Sequence, residues 1–512
     1  MKRISHHKSR RNSARRKRKV RARHRGAGRR RARAKPVFSA GAVHYEIGAR
    51  TSAMSFGGIG AVRRLVSKLE LAREIDARLN LLKRRLPYHE SDHVLNIAYN
   101  LLCGGARLED LDGLRHDAAY MDALGAELIP SPTAAGDFTR RFSESDVIEL
   151  MECVNAVRPK LWRGRGRDLL GPVAYVDVDG TLAPTLGRKK AGMDMSYKKV
   201  WGYHPLVVSL ANTGEVLYLV NRPGNAVSHQ GAAAWIDKAI DLVSPHVPGV
   251  CVRGDTDFSL TVNFDRWSEK ADFVFGYDAQ LAIIERAEAL EEEDWKPLKR
   301  KPRHTSRTGA TRSKREDVKG RIVRERGYVN KRLNHEDVAE YDYRPAKCRG
   351  TYRMVVVRKN ISKMRGELTL VDEIRHFFYI TTRRDLSAAE VVRLANARCD
   401  QENVIEQLKN GVNALRVPVY DLVSNWAYMV MAALAWNLKS FLAMMMHLKA
   451  DRRKYVAMEF RRFVREMILV PCQVIRRARR TTLRIIGWRP TTDRLFSAWR
   501  TIERTAFQTG FG

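Results

Sequence analysis

A strand-forming run that ends in carboxylates is the feature that most constrains this chain. Residues 173–178 (VAYVDV) favour extended backbone, and Pro172 and Gly180 bound the run on its two sides. Asp179 therefore falls at the carboxyl end of a strand. Because open α/β sheets usually carry their chemistry at that end of their strands, Asp179 is expected to belong to a functional site.

Two later segments repeat this arrangement of an acidic residue beside an ordered element. Residues 250–255 (VCVRGD) form a second short apolar run that ends at Asp255, and Glu402 lies in a long helical stretch. Three carboxylates brought together raise one another's pKa unless a cation compensates their charge. The sequence therefore predicts a metal site formed by Asp179, Asp255 and Glu402.

The residues around Glu402 fit a site that also holds phosphate. Steps of four and seven residues predict that Arg398, Glu402 and Lys409 share one helical face, so that two cations flank a metal-binding carboxylate. A surface salt bridge between Arg398 and Glu402 would use the same spacing. The two strand-end aspartates favour the functional interpretation.

Other polar residues near these positions have alternative roles. Strand alternation predicts that Asp177 points to the same face as Asp179, where it would support a ligand without being one. Asp257 is predicted to cap a helix over residues 258–267. His204 and His229 have no paired His or Cys spacing and are predicted to be turn or core residues.

The charge of the chain indicates a polyanionic partner. The 512 residues carry a formal net charge of +37, and residues 2–35 contain 18 Lys or Arg with no acid before Glu46. Such a tail is predicted to be disordered until it meets phosphate, which it binds without sequence preference. Nucleic acid is the first candidate partner. Arg140 and Arg141 are candidates for DNA contact, or else ordinary solvated charges.

Two features bear on the compartment of the protein. The six cysteines form no CxxC pair, which argues against a zinc site or a disulfide framework and indicates reduced core residues in a cytosolic protein. Residues 422–438 are uncharged and apolar, but they are short for a membrane span and contain two asparagines. A buried helix is predicted there, and a membrane partner is not expected.

The predicted fold class is α/β, with a ribonuclease-H-like core because three strands in a meander are followed by helix, strand, helix and strand. A basic and β-rich insertion interrupts this core, and helical regions precede and follow it. The length predicts about three to four domains. The predicted parts are a disordered basic tail (1–43), a helical DNA-binding domain (44–165), the first part of the core (166–290), the insertion (291–372), the second part of the core (373–450) and a helical C-terminal region (451–512). A Gly/Arg-rich linker (161–171) is predicted at the boundary between the DNA-binding domain and the core.

One resemblance is confined to a short motif. Residues 177–182 (DVDGTL) are identical in pattern to the opening motif of haloacid-dehalogenase-like phosphatases, which implies Asp177 as a nucleophile that attacks phosphate. Residues 254–257 (GDTD) resemble the late metal-binding motif of that family. A β-meander follows the motif in place of a long helix, and the basic tail has no use in such an enzyme. Because these two features do not fit a phosphatase, that function is the alternative prediction and not the leading one.

A second resemblance covers most of the chain. The order DVDGT, GYHPL, RPGN, RGDTDF and ENVIEQLK resembles the DDE transposases of bacterial insertion sequences, in the branch with an inserted β-region before the last acid. The resemblance implies that Asp179, Asp255 and Glu402 hold two Mg²⁺ ions, with Mn²⁺ as a substitute. Arg398 and Lys409 fit the signature around the last acid, but Ala395 stands where the family has Tyr. Arg253, Arg140 and Arg141 complete the predicted phosphate contacts.

The transposase resemblance also implies an activity and a set of partners. The two metal ions would activate water to cut the ends of an insertion sequence and then activate the 3′-OH for in-line attack on target DNA. The partners would be the terminal inverted repeats, the target DNA and a second copy of the chain assembled on DNA. Such a protein would work in the bacterial cytoplasm, at the nucleoid. A nucleic-acid-binding protein without catalysis is the remaining alternative.

Overall fold

The protein is an α/β molecule built on one large mixed sheet. The computed structural model describes residues 14–22, 43–46, 52–299, 316–477 and 480–507. The strands in chain order are β1 (Ala53–Met54), β2 (Val173–Gly180), β3 (Ala183–Pro184), β4 (Asp194–Met195), β5 (Trp201–Tyr203), β6 (Leu206–Leu210), β7 (Glu215–Val220), β8 (Gly249–Gly254), β9 (Asp272–Tyr277), β10 (Lys296–Pro297), β11 (Val329–Tyr343), β12 (Tyr352–Arg365), β13 (Leu368–Thr381), β14 (Cys472–Arg477) and β15 (Arg480–Ile485).

Helices lie before, around and after this sheet. The α-helices in chain order are α1 (Ile59–Leu69), α2 (Leu71–Arg78), α3 (Glu90–Leu102), α4 (Leu111–Arg115), α5 (Ala118–Leu124), α6 (Pro132–Thr139), α7 (Glu144–Leu161), α8 (Arg167–Leu170), α9 (Ala232–Val243), α10 (Phe264–Ser268), α11 (Leu281–Glu288), α12 (Val318–Glu325), α13 (Ala388–Asn396), α14 (Cys399–Glu406), α15 (Leu422–Met444), α16 (Lys449–Val456), α17 (Phe460–Phe463) and α18 (Thr492–Arg504).

Within the described residues, the central sheet has nine strands in the order β10, β11, β12, β13, β9, β8, β2, β6, β7. β2, β6 and β7 form an antiparallel meander, whereas β2, β8 and β9 run parallel. The hairpin between β6 and β7 turns at Gly214, whose φ of +65° suits glycine. The predicted meander followed by helix and parallel strands is therefore present. Only the predicted helix over 258–267 differs, because short 3₁₀ turns replace its first half and α10 covers its end.

The predicted insertion differs from the expectation. Residues 352–357 and 367–371 were expected in a small separate sheet and residues 377–382 in a last core strand, but β12 and β13 are single strands of 14 residues each. β13 pairs with β12 along its length and with β9 through its last four residues, so these strands extend the core sheet. No Gly or Pro interrupts residues 368–381, which explains the continuity. The basic residues 300–315 lie outside the described part of the chain.

The predicted helical region before the core is confirmed, with two corrections. Ser131 caps α6, its Oγ accepting a bond from the Ala134 amide at 3.2 Å. The sequence predicts that Phe138, Phe142 and Val147 share one face of this helix. The helix ends at Thr139, however, because Ser143 starts α7 with a capping box of its own. The expected linker over 161–171 is helical instead: a π turn (Trp162–Gly166) and α8 continue α7.

The buried side chain of Trp162 explains why the Gly/Arg-rich segment is ordered. Its indole nitrogen donates to Glu215 at 2.9 Å, and Glu215 also forms a fully buried ion pair with Arg158 at 2.6 Å. Both contacts join the end of α7 to β7. The turn between the helical region and the core is therefore anchored in the protein interior.

Helix α15 is the core helix that the sequence predicts over residues 422–438. Among the described helices it alone is long and apolar enough to cross a membrane, and its most apolar 18-residue window is entirely buried inside the protein. Its Lys439 is also fully buried, donates to the Val456 carbonyl and lies 3.9 Å from the ring centroid of Trp436. Helices α3, α7 and α16 and strand β7 pack against this helix.

The chain after α17 is not helical throughout, in contrast to the prediction. β14 and β15 form a hairpin that pairs with β1. The sequence has a basic cluster at Arg476, Arg477, Arg479 and Arg480, and its described residues lie on this hairpin, where Arg476 pairs with Asp122 at 2.7 Å. Arg479 lies outside the described residues. The β-branched run Val474–Ile475 favours the extended conformation.

The basic tail is ordered in one part. Residues 14–22, which are rich in the helix-forming residues Ala, Arg and Lys, are helical, and the Lys17 ammonium lies 5.2 Å from the ring centroid of Trp488. This helix contrasts with the expectation of a disordered tail. The rest of the stretch 2–35 lies outside the described residues.

Candidate active site

Two predicted carboxylates meet at one edge of the central sheet. β2 and β8 are parallel neighbours, and Asp177 stands opposite Arg253 in their register. Two residues further along each strand come Asp179 and Asp255, at the carboxyl ends. Arg398 reaches this edge from the start of α14, its Nη1 lying 3.1 Å from Asp179 Oδ2.

The electrostatics of Asp179 show that these groups share one environment. Burial, together with the charges of Asp255 and Glu402, raises the pKa of Asp179 to about 6, although the Arg398 guanidinium opposes the shift. Burial also raises the pKa of Asp255, again against the effect of Arg398. Asp255 and Glu402 therefore lie close enough to Asp179 to disfavour its charged form.

The helical face that carries Glu402 differs from the prediction. α13 ends at Asn396 and α14 starts at Cys399, so Arg398 sits at a break between two helices. Lys409 follows in a π turn (Gln407–Gly411). Arg398 pairs with Asp179, which excludes the surface salt bridge between Arg398 and Glu402 as the reason for their spacing. Burial lowers the pKa of Lys409, and the charges of Glu406 and Asp179 raise it.

Gln401 is a buried residue next to Glu402 that the sequence did not single out. It is fully buried, accepts a bond from the Ser209 hydroxyl through Oε1 and donates through Nε2 to the Val207 carbonyl at 3.0 Å. These bonds fasten α14 to β6, the strand next to β2, and so fix the position of Glu402. A single Gln beside a Glu is too common a pattern to have signalled this role.

Asp177 and Arg253 form a buried ion pair. Asp177 Oδ1 and Oδ2 lie 2.7 and 2.8 Å from Arg253 Nε and Nη2, with the two side chains 0% and 3% exposed. Arg253 also donates to the Leu394 carbonyl at 3.2 Å and lies over the Tyr175 ring. The prediction that Arg253 contacts phosphate is therefore wrong, because its guanidinium is taken up in the interior. The same pairing disfavours Asp177 as a phosphatase nucleophile.

The predicted capping residue is also corrected. Asp257 lies inside a 3₁₀ turn, and it is Asp255 whose carboxylate accepts a bond from the Asp257 amide at 3.1 Å. This bond orients Asp255 at the strand end. His204 is buried with Nδ1 2.7 Å from the Ala226 carbonyl, and His229 is an exposed turn residue, as expected for both. Arg140 pairs with Asp137 on the surface after α6, and Arg141 is exposed beside it.

The donor chemistry of this edge fits a hard divalent cation. Asp179 and Asp255 offer carboxylate oxygens, which are the ligands that Mg²⁺ prefers, and burial together with their like charges leaves them in need of a cation. Across the described residues, no three His, Cys, Asp or Glu side chains are already arranged to hold one ion. Arg398 supplies the compensating positive charge in this arrangement.

Comparison with known proteins gives the family. No curated protein matches the chain. A cryo-EM structure of a piggyBac transposase synaptic complex with hairpin DNA aligns over 82% of this chain and 84% of that chain, at 9% sequence identity and a TM-score of 0.35. That likeness is too slight to support a conclusion. The model of the family described as transposase DDE domain group 1 matches residues 47–507, which is most of the sequence, and the chain therefore belongs to this family of DDE transposases.

Proposed function

We propose that this protein is a DNA transposase that cuts the ends of an insertion sequence and joins the resulting 3′-OH to target DNA. Asp179 and Asp255, which end neighbouring parallel strands beside the Glu402 helix, are the observation that carries the proposal. The order and directions of strands β2, β6, β7, β8 and β9 support the proposal of a ribonuclease-H-like core. The family assignment supports the same chemistry.

Asp179, Asp255 and Glu402 would hold two Mg²⁺ ions, for which Mn²⁺ is a substitute. When bound, the ions supply Lewis acidity that activates the attacking oxygen and stabilises the leaving oxygen of an in-line displacement. α14 brings Glu402 to this edge, and Gln401 keeps the helix docked. The hydrogen bond from the Asp257 amide holds the Asp255 carboxylate towards the site.

Arg398 and Lys409 would bind the phosphate that is cut. Arg398 Nη1 lies 3.1 Å from Asp179 Oδ2, and the guanidinium carries further N–H groups with which it would bind a phosphate oxygen. Lys409 is partly buried beside the same carboxylates. Both side chains thus stand where the negative charge of a DNA backbone would enter.

The remaining basic surface would hold DNA away from the reacting phosphate. The net charge of +37 provides many phosphate contacts. The helical region 44–165 would recognise the sequence of the terminal repeats. The tail, the basic residues 296–332 and the hairpin around Arg476 would contact the phosphate backbone of the DNA. Joining two ends requires two active sites, so the active form would be a homodimer on DNA.

The direct test of the proposal is cleavage of the DNA that flanks the coding sequence. Purified protein with Mg²⁺ is expected to release fragments with 3′-OH ends, mapped to the nucleotide, and to join them to a plasmid. A scrambled flank of equal length serves as the control. Binding of the flanking DNA without any Mg²⁺-dependent cleavage would favour a non-catalytic DNA-binding protein instead.

Gln401→Ala is expected to lower cleavage roughly 10- to 100-fold, the usual effect of a residue that positions a ligand. The matched control is Asn403→Ala, an exposed residue on the same helix, which should leave activity unchanged. Single-turnover cleavage rates would be measured for both at equal DNA occupancy. Equal rates for the two variants would show that Gln401 does not position Glu402.

Deletion of residues 1–35 is expected to weaken binding to all DNA to a similar degree and to flatten its salt dependence. Removing each bond to a phosphate should reduce the slope of log affinity against log salt by about 0.9. Fluorescence anisotropy on flanking and random duplexes from 50 to 300 mM KCl, roughly the range in which such slopes are read, would measure this. A selective loss of binding to the flanking duplex would place sequence recognition in the tail.

A further inference from the structure

A cleft on the surface of the helical region has the composition of a nucleotide site. It has a volume of about 710 Å³ and lies between α6 and the loop that joins α2 to α3. Small-molecule sites are typically about 300–1,000 Å³. The residues that define this α6 cleft are Lys83, Arg84, Tyr88, His93, Phe138 and Arg141.

The floor of the α6 cleft is aromatic. His93 stacks on Phe138 with ring centroids 4.4 Å apart, and Tyr88 meets His93 edge to face at 5.5 Å. Tyr88 is only partly buried, and its hydroxyl is fixed by donation to the Ile129 carbonyl at 3.0 Å. Leu86, which is 81% exposed, stands at the mouth. A planar ring can therefore enter and meet a rigid aromatic surface.

One buried polar atom in the floor lacks a partner. His93 is 6% exposed, and its Nδ1 has no hydrogen-bond partner among the described residues. Burial and the nearby charge of Arg141 lower the pKa of His93 to about 4, so the imidazole is neutral. A buried nitrogen that is left unpaired costs free energy, and a ligand with a polar edge would satisfy it.

The rim of the cleft is cationic. Lys83, Arg84 and Arg141 are exposed, and none of them forms an ion pair with an acidic side chain of the described residues. The one carboxylate in the lining, Asp137, is paired with Arg140. Positive charge around an aromatic floor is the combination that binds single-stranded nucleic acid.

We propose that the α6 cleft binds one unpaired nucleotide of DNA, with its base stacked against Tyr88 and its flanking phosphates held by Lys83, Arg84 and Arg141. The inference rests on the proposed function, because it takes DNA as the partner. Fully paired DNA would use the cations and leave the aromatic floor empty. An acidic peptide would likewise offer no planar ring.

The test uses a duplex with one unpaired 2-aminopurine and the same duplex with that base paired to thymine, both with EDTA present to prevent cleavage. The wild-type chain is expected to bind the bulged duplex roughly 5- to 100-fold more tightly, the size of one stacking contact. The 2-aminopurine fluorescence should fall in the complex. Equal affinity for the two duplexes would overturn the proposal.

Two variants of Tyr88 separate stacking from hydrogen bonding. Tyr88→Phe keeps the ring and should keep both the preference and the quenching, whereas Tyr88→Leu should lose both. Trp499→Leu, at an exposed aromatic residue outside the cleft, is the matched control and should behave as wild type. An unchanged preference in Tyr88→Leu would contradict the assignment.

A second variant covers the case in which Tyr88→Leu does not fold. Lys83→Gln combined with Arg141→Gln changes only exposed side chains and should weaken binding of the bulged duplex more than that of the paired one. Competition by polyglutamate as effective as that by oligonucleotide, at equal charge, would instead indicate an acidic protein partner. Wild-type cleavage of flanking DNA is scored separately, so the cleft assignment can fail while the proposed function stands.

Discussion

Replacement of Asp179, Asp255 or Glu402 by its amide is expected to remove DNA cleavage by several orders of magnitude while DNA binding survives. Each amide withdraws one anionic oxygen ligand from a site whose chemistry depends on bound cations. The two aspartates are partly buried at the sheet edge, and Glu402 is exposed on α14, so none of the three supports the core. Gel shift and cleavage on the same preparations would measure both properties.

The neighbouring acids supply the controls for this series. Asp257→Asn and Glu406→Gln remove a charge close to the site without removing a predicted ligand, and they should retain most of the activity. Cleavage retained by Asp179→Asn, Asp255→Asn or Glu402→Gln would remove that residue from the set of metal ligands. Loss of DNA binding together with cleavage would show that the substitution had damaged the fold.

Asp177→Asn is expected to destabilise the protein by about 3–5 kcal/mol, because it leaves the Arg253 guanidinium charged in the interior without its carboxylate. The pair joins β2 to β8, directly below Asp179 and Asp255. Activity should therefore fall along with the folded fraction. Urea unfolding followed by circular dichroism would give the change in the free energy of unfolding.

A double variant tests whether the destabilisation comes from the unpaired buried charge or from altered side-chain packing. Asp177→Leu combined with Arg253→Met replaces the two charges by apolar side chains and should restore much of the stability that either single change removes. The exposed pair between Asp137 and Arg140 is the matched control, since Asp137→Asn should change stability by less than about 1 kcal/mol. A full loss of cleavage in Asp177→Asn with unchanged stability would give Asp177 a direct catalytic role.

Local signals in the sequence predicted the core strands and the strand-end acids correctly. The β-branched runs, the turn at Gly214 and the capping residue Ser131 each act over a few residues, so they can be recognised without knowledge of the fold. The extension of the sheet by β11, β12 and β13 could not be read in this way. Its strands depend on pairing between residues distant in the chain, such as Ile380 with Phe275.

In the candidate site, too, local signals predicted some positions, whereas others depend on contacts between distant parts of the chain. The strand ends place Asp179 and Asp255, but the break at Arg398 depends on how α14 docks on the sheet through Gln401 and Ser209, which are 192 residues apart in sequence. The burial of Arg253 likewise follows from its contact with Asp177 across two strands. A basic residue beside an acid in the sequence does not reveal whether it faces DNA or the interior.

The most direct test of the central claim is a metal-specificity switch at Asp179. Asp179→Cys replaces a carboxylate by a thiolate, which binds Mg²⁺ poorly and accepts softer ions such as Mn²⁺. The rate of 3′-end cleavage would be measured in Mg²⁺ and in Mn²⁺ for wild type and for the variant, with Asp257→Cys as the control. The account predicts no cleavage by Asp179→Cys in Mg²⁺ and recovery in Mn²⁺, with both ions supporting the control. Equal activity of Asp179→Cys in the two metals would contradict the claim that this carboxylate binds the cation.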